Sequence, residues 1–102
     1  MNRIDDKIIA KMRRSLKLSG EITVYDQLKI RLLENAISDY NKAVENIEQN
    51  GLIITTNRGA TTAQNPAVKI KLDNSKLIIR LVTDLMDKDN EEAEEFLSFM
   101  TT

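Results

Sequence analysis

Two groups of cations, Lys11, Arg13, Arg14 and Lys17 near the start of the chain and Lys69, Lys71 and Lys76 further along, are the residues best equipped to do chemistry. Lysine and arginine held close together neutralise phosphates and release their counterions, which is how a protein grips a nucleic-acid backbone. A plainer reading stands beside that one. Arg13, Arg14 and Lys17 fall near the C-terminal end of a predicted helix, where positive charge offsets the macrodipole, and no aromatic residue is interleaved with them.

Catalytic alternatives are poorly supplied. The chain has no histidine and no cysteine, so the commonest general base, the commonest metal ligand, thiolate sites and disulfides are all excluded. Gly20, Gly51 and Gly59 are isolated from one another, leaving no glycine-rich phosphate loop. Asp84, Asp87 and Asp89 alternate loosely but lack the glycine and distal glutamate of a calcium loop. No carboxylate pair or nucleophile-and-base pair has the spacing of an active site. The expected function is binding, without an enzymatic step, a metal or a cofactor.

The net charge of −1 hides a segregated pattern. Residues 1–20 carry six basic groups (Arg3, Lys7, Lys11, Arg13, Arg14, Lys17) against Asp5 and Asp6. Residues 51–80 carry Arg58, Lys69, Lys71, Lys76 and Arg80 against Asp73. Residues 81–102 set Lys88 against Asp84, Asp87, Asp89, Glu91, Glu92, Glu94 and Glu95. Such blocks suit polar binding surfaces of opposite sign better than one uniformly basic glove, although each block is also what a solvated helix face looks like.

The elements that must carry these residues are mostly helices. With 102 residues the chain makes one domain with a thin core. That core must be aliphatic, because the only aromatic residues are Tyr25, Tyr40, Phe96 and Phe99. From Thr23 to Asn50 the apolar residues Tyr25, Leu28, Leu32, Leu33, Ala36, Ile37, Tyr40, Ala43, Val44 and Ile47 keep a three-and-four spacing, which predicts one long amphipathic helix. Thr23 is its expected cap, with Asp26 completing a capping box, and Asn50-Gly51 its stop. Before it, Ile4, Ile8, Met12 and Leu16 predict a basic helix over 2–17 capped by Asn2.

After Gly51 the β-branched run Leu52–Thr56, the turn residues Asn57-Arg58-Gly59 and the return Ala60–Ala63 predict a small hairpin. Its threonines and Arg58 could meet phosphate or a partner, or simply form a polar tip. Asn65 and Pro66 are a cap and a first helical residue, opening a helix to about Met86 with Val68, Leu72, Ile79, Val82 and Met86 along one stripe. Ile70, Leu77, Ile78, Leu81 and Leu85 widen that stripe beyond what one neighbouring helix covers. After a polar break at Asp87–Asn90, a short acidic helix presents Ala93, Phe96, Leu97 and Met100.

The expected fold is therefore mainly α: two long antiparallel helices joined by a small β-hairpin, flanked by shorter terminal helices. Three segments follow: a basic helix over 1–20, a helix–hairpin–helix core over 21–87 and an acidic helix over 88–102. The surplus apolar surface predicts self-association through Leu33, Ile37, Tyr40, Val44, Ile70, Leu77, Ile78 and Leu81. Asp5 and Asp6 interrupt any apolar leader, and runs such as Leu77–Val82 are too short to span a bilayer; the expectation is a soluble intracellular protein that makes no membrane contact.

The order of signals resembles the small subunit of phage terminases, in its short helical branch. The likeness runs from about Tyr25 to Leu85: Y-D-Q-L and A-I-S-D-Y-N-K-A in the long helix, G-L-I-I-T-T-N-R-G-A through the hairpin, then N-P-A-V-K-I and N-S-K-L-I-I-R-L in the second helix. Where family members commonly continue into a basic helix, this chain continues through Leu85-Met86-Asp87-Lys88-Asp89 into an acidic one. The resemblance implies a ring-type homo-oligomer in the cytoplasm of an infected bacterial host. It would recognise viral double-stranded DNA and deliver it to the large subunit, which holds the ATPase and nuclease. Two rivals need no packaging machine. One is a helical adaptor or regulator that binds only protein; the other is a small transcription regulator that sets its first helix against DNA.

Overall fold

The computed structural model describes residues 3–5, 7–56, 59, 61–86 and 91–101. Its elements, in chain order, are α1 (Lys7–Ser19), α2 (Val24–Asn50), β1 (Ile53–Thr56), β2 (Thr61–Gln64), α3 (Pro66–Leu85) and α4 (Glu91–Thr101). The molecule is a rod of 58 × 25 × 18 Å. The expected turn residues Asn57, Arg58 and Ala60, the break Asp87–Asn90 and the proposed cap Asn2 lie outside the described residues.

The 27-residue α2 is the spine. The Thr23 hydroxyl accepts from the Asp26 amide at 3.1 Å and the Asp26 carboxylate accepts from the Thr23 amide at 3.2 Å, so two otherwise orphaned donors are satisfied reciprocally. At the other end the Gly51 amide donates to the Ile47 carbonyl at 2.7 Å. Gly51 does so with φ +84°, a conformation that a side chain would strain. The residues buried along α2 include Ile30, Leu33, Ile37, Tyr40, Val44 and Ile47, a regular alternation of three and four that keeps one seam on the partner helix.

That seam corrects the expected stripe. Tyr25, Leu28 and Leu32 are 78%, 52% and 53% exposed, whereas Ile30 is buried. With 3.6 residues per turn, Leu32 sits about 120° away from the centre of the Leu33–Ile37 seam, so periodicity alone could not separate flank from core. On α3 the same shift occurs: Leu72 is 53% exposed, and the helix buries Ala67, Ile78, Leu81, Val82 and Leu85. The two helices run antiparallel, with Ala43 and Ile47 against Ala67 and Val68 near the hairpin. Ile30, Leu33 and Ile37 join Ile78, Leu81 and Leu85 in the main core.

The hairpin between them is antiparallel in the register Ile53↔Gln64 to Thr56↔Thr61. A two-stranded ribbon is marginal alone, and its base is fastened by Asn65, the buried polar residue of the described core. The Asn65 Nδ2 donates to Gly51 O at 2.9 Å and to Asn46 Oδ1 at 2.8 Å. Its backbone amide donates to Leu52 O at 2.8 Å, and its Oδ1 accepts from the Ala67 amide at 3.0 Å, capping α3. One side chain thus ties the end of α2, the foot of the hairpin and the start of α3.

The terminal helices close one end of the rod. α1 starts at Lys7, five residues later than the spacing predicts, because Asp5 is the effective cap: its carboxylate accepts from the Lys7 amide at 2.9 Å and its carbonyl from Ile8 at 3.1 Å. Residues 3–5 are not helical. Ile4 is buried there, and Asn41 of α2 grips its backbone at both ends, accepting from Ile4 N at 2.7 Å and donating to Ile4 O at 2.9 Å. Met12 from α1 and Ala93 and Phe96 from α4 enter the same core as α2 and α3. The three segments therefore share one core.

Two substitutions test the fastening. Asn65→Ala is expected to cost about 2–3 kcal/mol, combining loss of the cap with two unsatisfied partners, read as a Tm drop of very roughly 10–20 °C. Asn65→Ser keeps a capping oxygen but loses both donated bonds and should fall about midway; a Ser variant as stable as the parent would show that the tie to Gly51 and Asn46 contributes nothing. Asn41→Ala should free residues 3–5 and cost about 1–3 kcal/mol, with rapid amide exchange at Ile4 as the local readout.

Candidate nucleic-acid interface

The cations of α1 sort by helical position. Lys7, Lys11, Arg14 and Lys17 recur every three or four residues and are all exposed, opposite the buried Met12 and the half-buried Ile8, Ile9 and Leu16. Arg13 leaves that row. Its Nη2 lies 2.6 Å from Glu34 Oε1 on α2, with the two side chains 47% and 44% exposed. A pair so open to solvent contributes at most about 1 kcal/mol, but it occupies the guanidinium and orients it along α2. The four residues singled out together in the sequence are thus three on an open row and one tied down.

On α3 the separation is sharper. Lys69 and Lys76 are exposed, while Lys71 falls in the row of the buried Ile78 and Leu85 and is itself partly covered. The residue that completes the outward row is Arg80, which the spacing 69–76–80 places on the same face as Lys69 and Lys76. Asp73 lies in the same row and dilutes it. Among the described residues no carboxylate lies within ion-pair distance of Lys11, Arg14, Lys17, Lys69, Lys76 or Arg80. The other bridge joins Arg3 to Glu48 at 3.3 Å.

Of the eight residues expected to face a second copy, Leu33, Ile37, Tyr40, Val44, Ile78 and Leu81 are already covered within one chain. They are the seam between α2 and α3. Ile70 and Leu77, 47% and 40% exposed, remain open and fall seven residues apart on one side of α3. A second open row, Tyr25, Leu28 and Leu32, runs along the first turns of α2, and Leu52 and Ile53 are open at the hairpin foot. Burial pushes the Tyr40 phenol above its ordinary range, so it is a neutral core group at physiological pH.

α4 carries the opposite sign, with Glu91, Glu94 and Glu95 all exposed. Within the described residues no helix is long and apolar enough to cross a membrane. The described surface thus carries rows of exposed cations on two helices, an acidic helix and open apolar strips.

No curated protein and no solved structure matches the chain. The family described as phage terminase, small subunit, matches it over residues 7–86, a span that takes in α1, both long helices and the hairpin. On that match this chain belongs to the phage terminase small-subunit family.

Proposed function

We propose that the chain is the non-catalytic, DNA-recognising part of a viral packaging machine, acting as a homo-oligomer in the cytoplasm of the infected bacterium and passing double-stranded DNA to a large ATPase–nuclease subunit. The observation that carries the DNA reading is the set of exposed cations on α1 and α3 that meet no carboxylate among the described residues: Lys11, Arg14 and Lys17, then Lys69, Lys76 and Arg80. Arg13 and Lys71 are secondary, the first held by Glu34 and the second partly covered. Rows of this kind contact phosphates without reading bases, so they supply affinity and register more than sequence choice.

Assembly would use the helix–hairpin–helix part of the chain, residues 21–87. Its contact surface is the open apolar rows, Tyr25, Leu28 and Leu32 on α2 with Ile70 and Leu77 on α3. These rows sit on different helices, which suits a head-to-tail contact that closes into a ring. The rival reading, an adaptor binding only protein, draws on the same apolar rows and treats the cations as ordinary surface.

Retention of duplex DNA should fall steeply with salt, with a log–log slope of about −0.9 per phosphate contact. Arg14→Glu with Lys17→Glu should weaken retention at least about tenfold while leaving the assembly intact; unchanged retention would move the contact to Lys69, Lys76 and Arg80. A chain that retains no duplex at low salt is the adaptor. Leu28→Glu with Leu32→Glu alters residues already in water, so helix content should hold while the mass in light scattering falls toward a single copy. A parent protein that is monomeric at micromolar concentration would end the assembly reading.

A further inference from the structure

Between the start of the chain and α4 lies a groove of about 320 Å³ that the DNA reading touches only at Lys11. Its floor is carbon: Ile4 and Ile8 from one wall, Phe96 and Phe99 from the other. Lys7 and Lys11, one helical turn apart, stand on the α1 rim. Glu95 stands on the α4 rim. The remaining charges are engaged, since Arg3 binds Glu48 and Asp5 caps α1. Neither lysine has a carboxylate within ion-pair distance among the described residues.

We propose that this groove docks an acidic segment of a partner protein, one that seats a large apolar side chain between Ile8 and Phe99 and sets carboxylates against Lys7 and Lys11. The size suits one or two such side chains, at the small end of ligand sites. The floor decides between a peptide and DNA. A phosphate lying over Ile4, Ile8 and Phe96 would lose hydration with no donor to replace it, whereas a leucine or phenylalanine gains by leaving water. Glu95 fixes orientation, because it repels a carboxylate on the α4 side and leaves the α1 side as the place for negative charge. The groove lies alongside α2, where Asn41 holds Ile4 and Arg3 at the groove edge reaches Glu48. Nothing in the proposal depends on DNA binding.

The test uses the full chain and two labelled helical peptides read by fluorescence anisotropy. Both carry phenylalanine and leucine one turn apart; one has glutamates flanking them, and its twin has lysines at the same positions. The acidic peptide should bind about tenfold or more tighter than its twin. Lys7→Glu, an exposed change outside the core, should reverse that preference. Phe99→Ser should weaken the acidic peptide about tenfold while duplex retention stays as in the parent. Equal binding of the twins or undiminished binding to the Phe99→Ser chain would each overturn the proposal. Because duplex retention is measured separately, a chain that ignores DNA but selects the acidic peptide would sink only the DNA reading.

Discussion

The arrangement rests on the side chain of Asn65. A helix end, a hairpin foot and a helix start all bring orphaned backbone groups to the same place, and burial there would leave them unsatisfied. Asn65 answers with two donors and one acceptor, spent on Gly51, Asn46 and Ala67. No other side chain of that length offers two donors together with an acceptor; serine and aspartate cap well but cannot donate two bonds. Because the tie is polar and directional, it sets the angle at which the ribbon leaves the helix pair, which apolar packing alone would leave loose. The open apolar foot of the ribbon at Leu52 and Ile53 is thereby held in one place.

The long helices, their caps and the hairpin were legible because each rests on local rules. Thr23 with Asp26, and Asn65 with Pro66, are short-range signals, and the structure carries both as expected. What stayed hidden depends on distance in the fold. Asp5 wins the capping of α1 because Ile4 is drawn out of the helix by Asn41, thirty-seven residues away in sequence; nothing near Ile4 announces that. The apolar spacing of α2 gave a stripe too wide by one flank, since Tyr25 and Leu32 satisfy the helical period as well as Ile30 does. Only the position of α3 decides which flank is covered.

The cations show the same division. Their clustering in sequence was plain, but membership of an open row is a property of helical phase and neighbours. Arg13 falls to Glu34, Lys71 to the covered side of α3, and Arg80 joins Lys69 and Lys76. Blocks of charge along a chain thus overstate how many residues one polyanion can meet at once. The acidic α4 adds a constraint of its own, because within a Debye length of about 8 Å it lowers the potential that any neighbouring phosphate feels.

The grip of Asn41 on Ile4 also says something about time. α2 and α3 are joined by a short connection and can find each other early, while the Arg3–Glu48 and Ile4–Asn41 contacts close long loops and come at greater entropic cost. Translation reverses that order, because residues 3–16 leave the ribosome before the spine they lie along has been made. That basic stretch must wait for α2 to be made before Ile4 can find Asn41 and Arg3 can find Glu48.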